Sequence, residues 1–145
     1  MDSRLNYSKV APDGIRALGG LEEYLRTSGL EPGLLNLIKA RASQLNGCAY
    51  CLDMHTKDAR AAGETEQRLY TLSAWRGTAF YTDRERAALA WTEAVTLVSH
   101  GPVSDALYLE ARQYFSEKEL VDLTLALVAI NGWNRLSISF RTVPG

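Results

Sequence analysis

Charge of one sign, long apolar runs and cysteine are all scarce in this chain, and each scarcity removes a class of protein. The 16 basic side chains are matched by 17 acidic ones over 145 residues. No Lys/Arg cluster is dense enough to make an electrostatic footprint for nucleic acid or an anionic membrane. Apolar runs such as Leu123 to Ile130 are far too short to span a bilayer. The opening Met1-Asp-Ser-Arg-Leu-Asn6 lacks the charged-then-apolar layout of a secretory signal, so a cytoplasmic location is expected. No repeat, low-complexity stretch or Pro/Gly linker divides the sequence, and residues 1–145 read as one domain.

Two cysteines cannot make a disulfide scaffold, and with 46% apolar residues the chain can bury a sizeable core without one. Cys48 and Cys51 are three residues apart, where a bridge closes almost no loop and stabilises little. Chemistry explains the pair better than stapling does.

What is present reads as helix after helix. Ala17, Leu18, Leu21, Tyr24 and Leu25 recur at helical spacing. A second helix opens at Pro32, carries Leu34, Leu35, Ile38, Ala42 and Leu45, and stops at Asn46-Gly47. A third begins near Cys48 and runs to Ala62, with Gly63 as its cap. A fourth starts at Thr65 or Glu66 and carries Leu69, Leu72 and Trp75. Thr82-Asp-Arg-Glu85 and Ser116-Glu-Lys-Glu119 have the capping-box form, and a further helix spans roughly Ser104 to Tyr114. The alternation in Leu136-Ser-Ile-Ser-Phe140 would suit a strand, but nothing else supplies one to pair with it, so helix is expected there too. The architecture expected is an all-α helical bundle of six or seven helices with the Cys-x-x-Cys at a helix N-terminus.

At that N-terminus the geometry becomes useful. Cys51 lies one turn after Cys48 on the same face, and His55 one turn after Cys51. Cys48 faces the positive end of the helix dipole, which favours a thiolate. His55 can accept a proton from Cys51 or, when protonated, stabilise its anion. Two thiols within bonding reach, a dipole and a base suffice for reversible dithiol chemistry. Three alternatives compete. Zinc would need a fourth ligand beside Cys48, Cys51 and His55, which only His100 or scattered carboxylates could supply. A thioredoxin-like site wants a strand before the motif, where this sequence reads as helix. The third alternative is purely structural, with two buried cysteines and a surface histidine. His100 is expected to cap a helix C-terminus, and Trp75, Trp91 and Trp133 to serve in the core or an interface. Arg60 to Glu64 reads as a solvated helix end, and Tyr50 as pointing away from the face the cysteines share.

Arg41-Ala-Ser-Gln-Leu-Asn-Gly-Cys-Ala-Tyr-Cys-Leu-Asp-Met-His-Thr-Lys-Asp-Ala-Arg60 resembles the alkylhydroperoxidase AhpD-like branch of the carboxymuconolactone decarboxylase family. Ala62-Gly-Glu-Thr-Glu-Gln-Arg-Leu-Tyr70, Ser73-Ala-Trp75 and Ile130-Asn-Gly-Trp-Asn-Arg-Leu136 extend the likeness. The resemblance implies an all-α fold, an assembly built from dimers (a trimer or hexamer), and peroxidase activity through the cysteine pair. In that scheme Cys51, paired with His55, attacks the peroxide and becomes a sulfenic acid. Cys48, nearer the surface, resolves it as a disulfide. An external dithiol, such as a lipoyl or thioredoxin-like reductant, restores the thiols, and no metal or organic cofactor is required. The dipole alone would instead favour Cys48 as the attacking sulfur.

One position departs from the family pattern. Its relay glutamate stands twelve residues before the first cysteine, which here is Asn36. An amide cannot take a proton at neutral pH. Glu31, five residues earlier, is more than a turn away. The expectation is therefore a peroxidase acting through Cys48, Cys51 and His55 on hydrogen peroxide or organic hydroperoxides, with Asn36 at the relay position. The alternative is a redox-sensing or binding protein of the same fold with little turnover.

Overall fold

The computed structural model describes residues 1–145, which form eight α-helices and two 3-10 segments. In chain order these are α1 (Tyr7–Val10), α2 (Pro12–Arg26), α3 (Pro32–Asn46), α4 (Ala49–Ala61), α5 (Glu66–Tyr70), α6 (Asp83–Thr96), α7 (Asp105–Tyr114) and α8 (Glu117–Ser139). The 3-10 segments are Leu72–Gly77, between α5 and α6, and Val98–His100, between α6 and α7. The all-α expectation holds, and the tail is helical through Ser139.

Local chemistry sets most boundaries. Pro12 and Pro32 open α2 and α3, where a missing N–H costs nothing. Gly47 ends α3 with φ of 70°, a left-handed conformation that glycine adopts without a Cβ clash. Both predicted capping boxes form. Thr82 and Glu85 exchange their two bonds at 3.1 and 2.8 Å, and Ser116 and Glu119 theirs at 3.1 and 3.0 Å.

α3 is the axis of the molecule, packing against α4, α6 and α8. Leu34, Leu35, Ile38 and Ala42 join α6 and α8 in the main core, with Leu123, Ala126, Leu127 and Ile130 inaccessible to solvent. Leu37 and Ala40 face a second cluster holding Leu72, Trp75, Tyr81 and Leu89. A helix buried on both sides has no polar face to spare. Hence Lys39 and Ser43 on α3 are buried too.

Three expectations need correction. The fourth helix does not run to Trp75: it stops at Tyr70, and Leu72–Gly77 continues as a 3-10 segment with non-helical Ala74. The tighter turn aligns Leu72 and Trp75 on one side, into the second cluster. Arg86 secures the bend by donating to the carbonyls of Trp75 at 3.2 Å and Thr78 at 2.9 Å. His100 does not cap α6, which ends at Thr96 with Leu97 as its C-cap; His100 closes the following 3-10 turn. Residues Tyr7–Val10 add a helical turn that the apolar spacing does not mark, capped by Asn6, whose Oδ1 accepts from the Lys9 N–H at 3.1 Å. No helix is long and apolar enough to cross a membrane.

Candidate functional site

The turn from α3 into α4 places the cysteines. Cys48 follows Gly47 as the N-cap of α4, with extended backbone, and its Sγ accepts the N–H of Cys51 at 3.3 Å. Sulfur thus occupies the place where serine or aspartate commonly satisfies a helix's free N–H groups. One turn of helix sets the two Cα atoms 5.4 Å apart, and the sulfurs are joined as a disulfide. Neither sulfur is at the surface: Cys48 is 2% exposed and Cys51 1%. Both are covered because α3 and α8 pack over the helix start.

Cys51 differs from Cys48 in what it faces. Together with His55, Asn36 and Tyr50 it lines a cavity of about 400 Å³. His55 is 8% exposed, not a surface residue, and its Nε2 has no hydrogen-bond partner. An unpaired ring nitrogen this deep is unfavourable unless something bound there uses it. Burial pushes the His55 pKa down to about 4, and the charge of Lys39 pushes the same way, against smaller opposite effects of Asp58 and Glu22. At neutral pH the ring is therefore an uncharged base. The imidazolium that could steady a Cys51 anion is not the resting form.

The remaining walls come from residues far away in sequence. Lys39 of α3 and Glu22 of α2 form an ion pair at 2.7 Å, with side chains only 11% and 22% exposed. The Trp133 indole N–H of α8 donates to the other oxygen of Glu22 at 3.2 Å. Trp133 thus belongs to the site rather than only to the core or an interface, and Tyr50 turns toward the cavity that the cysteine face opens on. Glu31 is engaged elsewhere, by Arg84 at 2.9 Å. No group of three or more His, Cys, Asp or Glu side chains is placed to hold a metal ion.

The model of the carboxymuconolactone decarboxylase family matches residues 12–94, a stretch that contains both cysteines and His55. The chain belongs to that family. The uncharacterized protein YdfG of Bacillus subtilis is 45% identical over 96% of this chain and 95% of its own. A solved structure from Agrobacterium tumefaciens, of a protein of unknown function proposed to be the antioxidant defence protein AhpD, superposes with a TM-score of 0.96. It is 42% identical and 99% of each chain is covered. The debrominase Bmp8 superposes with a TM-score of 0.83 at 22% identity, over 92% of this chain and 72% of its own, and so shares the fold alone.

This family member is AhpD-like, and its site is held by an amide seam. Asn46, at the end of α3, donates to Asn131 and Asn134 of α8, each at 2.9 Å. Asn134 donates to Ser43 Oγ at 3.1 Å, and the Ser43 carbonyl accepts the Cys48 N–H at 3.0 Å. The Ile130-Asn-Gly-Trp-Asn stretch thereby fixes the cysteine turn through its asparagines and holds Glu22 through its tryptophan. Asn36 lines the cavity, where it offers hydrogen bonds but no proton acceptor.

Proposed function

We propose that the protein is a thiol-dependent peroxidase that reduces hydrogen peroxide or an organic hydroperoxide through Cys51 and Cys48, with His55 moving the proton. One observation carries this reading: Cys51 and the unpartnered Nε2 of His55 line one cavity, with Cys48 bonded to Cys51 from behind. In the reduced protein the Cys51 thiol passes its proton to His55 as its sulfur attacks the peroxide O–O bond. The departing alkoxide or hydroxide takes that proton back, leaving an alcohol or water and a sulfenic acid on Cys51. The Cys48 thiol then displaces the sulfenic hydroxyl as water, and the disulfide forms. An external dithiol, lipoyl or thioredoxin-like, reduces it again and is itself oxidised. The sulfurs carry both electrons, so no metal or organic cofactor enters the cycle.

A cavity of about 400 Å³ is large enough for a small organic hydroperoxide. Fold alone does not choose the substrate, since one fold hosts several chemistries. The cycle suits the reducing cytoplasm. Exposed Leu109, Val121 and Val128 on α7 and α8 support a homo-oligomer, and the likeness to the family suggests one built from dimers. Asn36 favours the second reading, a redox sensor with little turnover.

The test is the reaction of the fully reduced protein with one equivalent of peroxide, followed by free thiols and intact mass. Loss of both thiols and of two hydrogens, reversed by a dithiol and repeated over many cycles, is the expected outcome. Thiols that persist would overturn both readings, and oxidation without repeated cycles would leave the sensor.

A further inference from the structure

Neither residue of the Lys39–Glu22 pair belongs to the cysteine motif, yet both line the cavity on which Cys51 opens. Lys39 is 9% exposed. Removing an ammonium from water is costly, and a buried ion pair seldom repays that cost in stability. Here the pair lines the same cavity as the sulfur that reduction of the disulfide sets free.

A thiolate in a Cys–His site usually has imidazolium as its partner. His55 is not a standing positive charge here, because burial keeps it neutral near pH 7 while the disulfide is formed. The helix dipole falls off within the first turn and acts first on Cys48, the N-cap. The charged groups lining the cavity are Glu22 and Arg26 from α2, Lys39 from α3 and Asp58 from α4, while α8 contributes only uncharged Trp133 and Ser137. Tyr7 and Tyr50 add phenol side chains to the lining. Of the two cations, Arg26 is tied to Glu23 with both side chains well exposed, so water screens it. Lys39 is the cation that water does not screen.

We propose that Lys39, clamped by Glu22 and Trp133, is the positioning charge that favours the Cys51 thiolate formed when His55 takes the thiol's proton. Its ammonium does not touch the peroxide. It favours the anion on sulfur, while Glu22 tethers it and moderates its field. With this counter-charge on α3, the site has a means of activating sulfur that does not require a carboxylate at position 36. The inference rests on the peroxidase reading only in taking Cys51 as the attacking sulfur.

The experiment follows alkylation of Cys51 by iodoacetamide in the reduced protein, from about pH 5 to about pH 9, a range that brackets ordinary and activated thiols. Peptide mass locates the adduct on Cys51. Lys39→Met is expected to move the midpoint up by about one pH unit, and so slow alkylation about tenfold below it. Lys39→Arg should keep the wild-type midpoint within a few tenths of a unit. Glu22→Gln, which leaves the ammonium unneutralised, should move the midpoint down. Opposite shifts for the two charge-removing variants are the signature, because mere loosening of the site would move both the same way. A Lys39→Met profile that superimposes on wild type, or shifts of one sign in both variants, overturns the proposal. So does a wild-type Cys51 that is not alkylated at all. If Lys39→Met fails to fold, the direction of the Glu22→Gln shift decides alone. No peroxide is used, so a protein that behaves as expected yet consumes no peroxide loses the peroxidase assignment and keeps this one.

Discussion

Asn134 of α8 donates to Ser43 Oγ of α3 at 3.1 Å, with both residues fully buried, and the Ser43 carbonyl receives the Cys48 N–H at 3.0 Å. The end of α8 is thus connected by two hydrogen bonds to the turn that presents the cysteines. Asn134→Ala would leave the buried Ser43 hydroxyl without its donor and half-buried Asn46 without one acceptor. A loss of about 1–3 kcal/mol is expected, measured as a lower urea midpoint with unchanged slope. An unchanged midpoint would mean that the seam contributes nothing to folding.

Cys51→Ser should abolish peroxide consumption, since the sulfur that faces the cavity is gone. Cys48→Ser should still consume one equivalent of peroxide but stop there, with the oxygen retained on Cys51 as a sulfenic acid visible by intact mass. Full turnover in Cys51→Ser would refute the assigned site.

His55 ties stability to pH. Its pKa lies near 4 in the folded protein against an ordinary 6.5, mainly because the ring is buried. Between those values the unfolded chain binds more protons than the folded one. Stability is therefore fully present above pH 6.5, falls as pH drops toward 4, and loses no more on this account below that. The total is about 3 kcal/mol. Urea unfolding at about pH 7 and about pH 5 checks this, and His55→Gln should flatten the difference. A slope equal in both proteins would show that His55 is not the cause.

Asn36→Glu restores a proton acceptor to a position already lining the cavity. If proton transfer limits the reaction, steady-state peroxide reduction should rise, within the 10²–10⁴-fold that general acid–base help is typically worth at most. A rate that stays the same or falls would mean that His55 suffices as the proton carrier.

The helix ends and the cysteine motif were legible because their causes are local. Pro32 opens α3, Gly47 closes it, and two capping boxes start α6 and α8, each through contacts spanning a few residues. Cys48, Cys51 and His55 stand at i, i+3 and i+7, so forming one helix is enough to align them. The 3-10 break after Tyr70 was hidden because Leu72 and Trp75 suit either helix type, and the choice falls to Leu37 and Leu89 packing against them.

An all-helical chain with a dithiol beside an imidazole follows from residue order along the helices. Which sulfur faces a cavity, and that the histidine there is neutral, came from the packing of the other helices, because both depend on what those helices cover. That packing also turned Lys39, Glu22 and Trp133 into parts of the site. In sequence a lysine, a glutamate and a tryptophan 111 residues from that glutamate carry no common signal. Packing α8 against both α3 and α2 brings them together, and in that low-dielectric setting a charge acts on its neighbours far more strongly than it would in water.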